Sequence, residues 1–327
     1  MRAMIYRTYG GPERLELVDI GRPSPGPGQV LVRVIASSVN PVDWKLASGR
    51  LRLFMPVKLP LVPGFDVAGD IAELGRGVTG YTIGDRVHAR IATNGGTGAC
   101  AEFAVVGLDV LAKAPTGMDP GEAAGLPLAG VTALQGLRDQ AGLPLEGASG
   151  RVLVVGASGG VGHIAVQISR AAGATVVGVC SERNLELVSS LGAHEVIDYN
   201  KPNPYGGQAP FDIVLDCVGP SPFPWLALLR SGGRYVTPMP GPGVFLRNIL
   251  NPVTGKKVRA VMLKSNAADL RVLDRLVEAG KLRVVIDTRY PLTDLRSAWQ
   301  RSQSGRTAGK IVIDVAASEA TAERQGR

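Results

Sequence analysis

The sequence predicts an α/β protein in two parts, a β-rich domain followed by a doubly wound parallel sheet. Three observations predict it. Residues 1 to about 120 read as short strands separated by Gly and Pro. Beyond Pro120, strands of the fully buried type alternate with helical stretches, as a parallel sheet requires. Within that alternation, VVGASGGVGHIAVQ (Val154 to Gln167) sets four glycines at a junction between strand and helix.

Each element follows from its own pattern. VLVRVIAS (from Val30), DVAGDIAEL (from Asp66), DRVHARI (from Asp85) and AEFAVV (from Ala101) are strands, with Pro23, Pro25, Pro27 and Gly28 among the turn residues. AGVTALQGLRDQAG (Ala129 to Gly142) reads as a helix, and RVLVVG (Arg151 to Gly156) as a buried strand. Val161, Ile164, Ala165, Ile168 and Ala172 give the next segment one apolar helical face, ended by Gly173. TVVGVC is a strand, LELVSSLGA a helix, and EVIDY, FDIVLDCVG, GGRYVTPM and VRAVMLK are strands, with WLALLR a helix among them. ADLRVLDRLVEAGKL (Ala268 to Leu282) is an amphipathic helix. VVIDTRY, LRSAWQRSQSG and KIVIDV then read strand, helix, strand.

Composition narrows the class. With 45% hydrophobic and 20% charged residues and a mean hydropathy of +0.13, the chain can bury large cores. No apolar run reaches the ~20 residues of a membrane span, and MRAMIYRTYGG lacks the apolar centre of a secretory leader. Cys100, Cys180 and Cys217 lie far apart, which argues against a disulfide framework or a sulfur-rich zinc site. A soluble cytoplasmic protein is expected. The net charge of +8 is spread along the chain, densest at Lys256, Lys257, Arg259 and Lys264. Aromatics make up only 5% and no RNA-binding signature appears, so a solvated surface or an anionic cofactor explains the charge better than nucleic acid.

The glycines point to that cofactor. Gly156, Ser158, Gly159, Gly160, Val161 and Gly162 form a G-x-x-G-x-x-G variant of the dinucleotide fingerprint, after a strand and before a helix. Small residues let the backbone approach a pyrophosphate, and N–H groups at the helix start favour its charge. An NAD-selective site places an acid about 20 residues on, at the end of the second strand. Here that strand ends in Cys180, followed by Ser181, Glu182 and Arg183. Ser181 can donate a hydrogen bond, Arg183 can pair with a 2′-phosphate and Tyr199 can add its hydroxyl, so NADPH is expected. Val218, next to last in FDIVLDCVG, and Lys310, in AGKIVIDV, complete the expected cofactor contacts.

These residues, with SSVNPVDWKLASG, PGFDVAGDIAELGRGVTGYTIGDRV and LPLAGVTALQGL in the same order, resemble the medium-chain dehydrogenase/reductase superfamily over nearly the whole chain. The branch they resemble is that of the zinc-independent quinone oxidoreductases. The resemblance implies a GroES-like β domain (1–122), a Rossmann NADPH-binding domain (123–281) and a C-terminal return to the first domain (282–327). It implies no zinc, since Asn40 and Phe65 stand where the alcohol dehydrogenase branch has ligands. His88, His163 and His194 share no motif and read as surface or turn residues.

By the same resemblance Asn40, Asp43 and Thr132 lie by nicotinamide and substrate. Asn40 would bond substrate or cofactor ribose, Asp43 would order Lys45 or backbone, and Thr132 would meet the carboxamide or substrate. Without a Lewis acid, hydride transfer suits an already electrophilic carbon, as in a quinone, enone or enal. The segment after N-P-V-D holds no tyrosine, so protonation from solvent is expected, and substrate choice is assigned to loops Arg50–Lys58 and Pro240–Lys257. A homodimer is expected. Two alternatives stay open: a pathway-specific enoyl or alcohol/ketone reductase of the superfamily, and a non-catalytic NADPH-binding protein that binds nucleic acid through the 256–264 cluster.

Overall fold

The structure is a computed structural model and describes residues 1–53, 55–91, 98–219, 221–249 and 255–316. Phe54, residues 250–254 of the expected specificity loops and most of the C-terminal tail lie outside the described residues. In chain order the elements begin with β1 (Arg2–Ile5), β2 (Glu16–Asp19), β3 (Gln29–Val39), α1 (Pro41–Ala47), β4 (Asp66–Leu74), β5 (Arg86–Arg90), β6 (Phe103–Gly107), β7 (Leu111–Lys113), α2 (Pro120–Gly125) and α3 (Pro127–Gln135). There follow β8 (Arg151–Val155), α4 (Gly162–Ala172), β9 (Thr175–Cys180), α5 (Leu185–Ser190), β10 (Glu195–Asp198), β11 (Phe211–Asp216), α6 (Phe223–Leu226), β12 (Leu229–Thr237), α7 (Pro242–Ile249) and β13 (Lys257–Ala260). The chain closes with α8 (Ala267–Glu278), β14 (Ile286–Pro291), α9 (Leu295–Gln303) and β15 (Lys310–Asp314).

Two compact units result. The first comprises Met1–Leu128, Ser265–Glu278 and Val284–Arg327; the second comprises Ala129–Lys264 and Ala279–Arg283.

The first unit is the GroES-like part. Its main sheet runs β14-β15-β3-β4-β5-β7, with β6 also on β3. β3 is buried along nearly its whole length because it pairs with β15, β4 and β6. Val32, Val34, Val67, Ile71, Val87 and Ile313 fill this core, and α9 adds the buried Trp299. The C-terminal strand β15 runs antiparallel to β3, pairing Ile311 with Val39. That register decides the site, because the next pair outward is Lys310 opposite Asn40.

Two short helices interrupt the expected all-β pattern. α1 starts at Asn40-Pro41: proline fits the first helical turn, and Asp43 Oδ2 accepts the Asn40 N–H at 2.7 Å in a capping box. α2 starts the same way, with Asp119 Oδ1 accepting from Gly121 and Glu122 N–H before Pro120 enters the helix. A polar residue followed by proline encodes a helix start here as readily as a turn.

The second unit is a six-stranded, all-parallel sheet in the order β10-β9-β8-β11-β12-β13, the Rossmann arrangement. α4 ends at Gly173, which takes a left-handed conformation (φ 104). WLALLR is not a helix throughout: α6 stops at Leu226 and Leu229 already opens β12. Leu229 is buried in the sheet's core with Phe211, so packing overrides the local helical composition.

Candidate active site

In the Rossmann unit, the parallel strands carry four loops to one edge of the sheet, the carboxyl edge where such folds bind ligands. The glycine loop follows β8, Ser181 to Asn184 follow β9, Tyr199 follows β10 and Val218 follows β11. Gly156 takes φ +73, and a Cβ there would fall 2.4 Å from Val218 Cγ2. A Cβ on Gly162 would fall 2.1 Å from the Gly156 carbonyl oxygen, so only glycine lets the loop close on the start of α4. Gly159 N–H donates to Gly156 O at 2.9 Å and tightens the turn. Ser158, Gly160 and Val161 complete this cradle, whose open backbone fits a dinucleotide pyrophosphate.

The end of β9 is free of acid at the strand terminus. Ser181 is half-buried, Arg183 is exposed on a short 3-10 turn, and Glu182 is also exposed. Tyr199 is 54% exposed, and its N–H donates to the Cys180 carbonyl. The turn holding Val218 is fixed by Asp216, whose Oδ1 accepts from Val218 and Gly219 N–H. Tyr235 donates its hydroxyl to Asp216 Oδ2. Neither Asp216 nor the buried Asn184 was among the sequence candidates. Thr132 lies in α3 and is buried.

The GroES-like unit carries a buried polar cluster. Asp66 is its centre: Oδ2 accepts from Ser38 Oγ at 2.7 Å and from Asn40 Nδ2 at 2.8 Å, and Oδ1 accepts from the Leu128 N–H at 2.9 Å. Lys310 Nζ donates to Asn40 Oδ1 at 2.6 Å and stands 3.6 Å from Asp66 Oδ2. Three adjacent strands build it, since β3 pairs Ser38 with Asp66 on β4 and Val39 with Ile311 on β15. Burial pulls the Lys310 ammonium below its ordinary range, against the pull of Asp66 and Asp43.

The structure bears on several expectations. Lys310, expected at the cofactor, lies in the GroES-like unit and donates its ammonium to Asn40. Of the two partners expected for Asp43, the backbone is seen: its Oδ2 accepts the Asn40 N–H. His88 and His163 are fully buried, each with a ring nitrogen on a backbone carbonyl; only His194 is at the surface. The alcohol dehydrogenase ligand positions do not suit zinc. Phe65 offers no donor atom and lies under the Arg90 guanidinium, 4.9 Å from its ring centre. The Asn40 amide is engaged at both ends, and a lysine ammonium already neutralises Asp66. Among the described residues no three His, Cys, Asp or Glu side chains gather as a ligand set.

Asp43 is buried in the same unit, and among the described residues its Oδ1 has no hydrogen-bond partner. Burial, aided by the charge of Asp66, raises its carboxyl from 3.8 to about 7, against the Asn40 N–H and Lys310. An acid raised on folding holds a proton that the unfolded chain has released, so stability falls as pH rises from about 4 to about 7. Asp43→Asn keeps an acceptor for the Asn40 N–H and removes this titration. Urea unfolding across that window will show the wild type losing up to about 1.4 kcal/mol per pH unit relative to the variant. Parallel curves would show Asp43 to be charged throughout.

Comparison with known proteins agrees with this architecture. A family model described as "Alcohol dehydrogenase GroES-like domain" matches residues 26–121, and one described as "Zinc-binding dehydrogenase" matches residues 191–313. The chain is 40% identical to the chloroplast envelope quinone oxidoreductase homolog of Arabidopsis thaliana, over 96% of this chain and 98% of that one. It is 33% identical to the chloroplastic NADPH-dependent alkenal/one oxidoreductase of Arabidopsis thaliana, over 96% and 79%. The structure of the quinone oxidoreductase from Coxiella burnetii superposes with a TM-score of 0.85 at 30% identity, covering 96% and 99%. The plant relatives are chloroplast proteins, which overturns the cytoplasmic expectation. The apolar-centre pattern describes secretory leaders and does not separate cytoplasm from plastid. The chain belongs to the medium-chain dehydrogenase/reductase superfamily, in its quinone oxidoreductase-like branch, and binds a nicotinamide cofactor.

Proposed function

We propose that the protein is an NADPH-dependent oxidoreductase that delivers hydride to a quinone or to the β-carbon of an α,β-unsaturated carbonyl, without a metal. The observation that carries this reading is the engaged set Asn40, Asp66 and Lys310, which offers ammonium and amide chemistry where a metal-dependent relative needs free ligands. The names of the relatives, quinone oxidoreductase and alkenal/one oxidoreductase, support the substrate class.

When bound, the dihydronicotinamide supplies the hydride. The chain supplies position. Gly156, Ser158, Gly159, Gly160, Val161 and Gly162 hold the pyrophosphate, and Val218 packs over Gly156. Ser181, Arg183 and Tyr199 take the 2′-phosphate, the anion that a strand end without an acid accepts. Asn40 and Thr132 are assigned to nicotinamide and substrate. Asp43 and Lys310 are assigned to the support of Asn40: one fixes its backbone, the other its side-chain oxygen. A conjugated substrate spreads the negative charge left by hydride addition, which lowers the demand for an oxyanion-stabilising cation. Water supplies the proton in this reading. The proposed assembly is a homodimer, carried over from the family resemblance.

Two measurements test the reading. An enone offered with NADPH deuterated at the transferable position is expected to carry deuterium at the β-carbon, with the carbonyl retained. Deuterium on a carbinol carbon would identify a carbonyl reductase instead. Arg183→Ala is expected to weaken NADPH binding about ten- to a hundredfold, the loss of one hydrogen bond to a charged group, with NADH nearly unchanged. Equal loss for both cofactors would remove Arg183 from the 2′-phosphate site.

A further inference from the structure

Asn184 closes the turn after β9, one residue past Arg183, and its side chain is buried (8% exposed). Its Nδ2 donates to Ser158 Oγ at 3.0 Å and to Ser181 Oγ at 3.3 Å. Ser158 belongs to the glycine loop after β8, and Ser181 to the end of β9. One amide nitrogen therefore links the two loops on which the cofactor reading rests. Its own backbone N–H donates to the Ser181 carbonyl at 2.9 Å, which closes the turn that carries the side chain.

The chemistry of the pair follows from what each group can give. An amide nitrogen carries two protons, and a hydroxyl carries one proton and two acceptor positions. Asn184 fills one acceptor position on each serine and leaves both hydroxyl protons available. Among the described residues, neither hydroxyl donates to a protein acceptor. A hydroxyl that accepts one hydrogen bond becomes the stronger donor of the next. Such a pair suits a ligand group made only of acceptors, which is the character of a phosphate ester. A ribose hydroxyl brings a proton of its own and gains less from two donors.

We propose that Asn184 is a positioning residue that sets the Ser158 and Ser181 hydroxyls as paired donors, and so makes the site select a dinucleotide carrying a 2′-phosphate. This deepens the NADPH reading and rests on it. An amide that merely braced the two loops would support NADH and NADPH alike, and cofactor selectivity separates the two roles.

The experiment is fluorescence titration of the purified full-length chain with NADPH and with NADH, for wild type and Asn184→Asp. The carboxylate has the shape of the amide but no N–H, so both hydroxyls must turn their protons toward it. The expected result is a rise in the NADPH Kd of roughly 30- to 100-fold with the NADH Kd within about threefold of wild type. An equal rise for both cofactors, or no change for either, would overturn the inference. A wild type that binds NADH as tightly as NADPH would instead sink the NADPH reading itself. Ser181→Ala keeps the amide and covers the case of an unfolded Asn184→Asp: it removes one donor and is expected to cost about tenfold for NADPH alone. An unchanged ratio in Ser181→Ala would likewise count against the pair.

Discussion

A lysine ammonium buried to 3% exposure needs compensation on every side, and the GroES-like unit is organised around supplying it. Asn40 gives its amide oxygen, Asp66 gives a carboxylate, and Ser38 and the Leu128 N–H hold that carboxylate in place. The pairing of β3 with β4 joins Ser38 and Asn40 to Asp66, and Lys310 reaches them only through the pairing of β15 on β3. The C-terminal strand is thus more than a sheet extension: it carries the cation of the cluster. At Asn40, where the resemblance places a zinc ligand in the alcohol dehydrogenase branch, this chain has an amide bonded to a lysine ammonium. A covalently attached cation cannot be lost to a chelator, but it also offers no open coordination position to a substrate oxygen. That restricts the chemistry to substrates that stabilise their own charge.

The Rossmann unit works on a different constraint. Its parallel strands deliver every loop to one edge, and the quality of the site depends on how closely those loops approach. Glycine sets the approach at positions 156 and 162, where a side chain would strike Val218 or the loop backbone. Asp216 and Asn184 then fix two of the loops by accepting or donating pairs of hydrogen bonds. Both are buried side chains; Asp216 holds the exposed Val218, and Asn184 holds the buried Ser158 and the half-buried Ser181.

Much of the fold was legible in the sequence because it is encoded locally. Buried strands such as Val152 to Val155, the apolar face of α4 and the stop at Gly173 all depend on periodicity and on single residues with special backbone freedom. The glycine loop was legible for the same reason. The helices α1 and α2 were missed, although Asn40-Pro41 with Asp43 and Asp119-Pro120 are capping signals. WLALLR misled because strand pairing with β11 outweighs helix propensity at Leu229. The polar cluster was not legible at all: Lys310 and Asn40 are 270 positions apart, and only sheet register joins them. Asn184 was hidden similarly, since its partner Ser158 lies 26 positions earlier on another loop. Buried histidines such as His88 cannot be told from surface ones without knowing which strand face they occupy.

The central claim is that the ammonium of Lys310 and the carboxylate of Asp66 stabilise one another within the buried cluster. A double-mutant cycle in urea tests it, with Lys310→Met, Asp66→Asn and the pair together. Each single change strands a buried polar partner and is expected to cost about 3–5 kcal/mol. The account predicts that the double variant is at least about 2 kcal/mol more stable than the sum of the two losses implies. Strictly additive losses would show that the two groups do not depend on each other, and would contradict it.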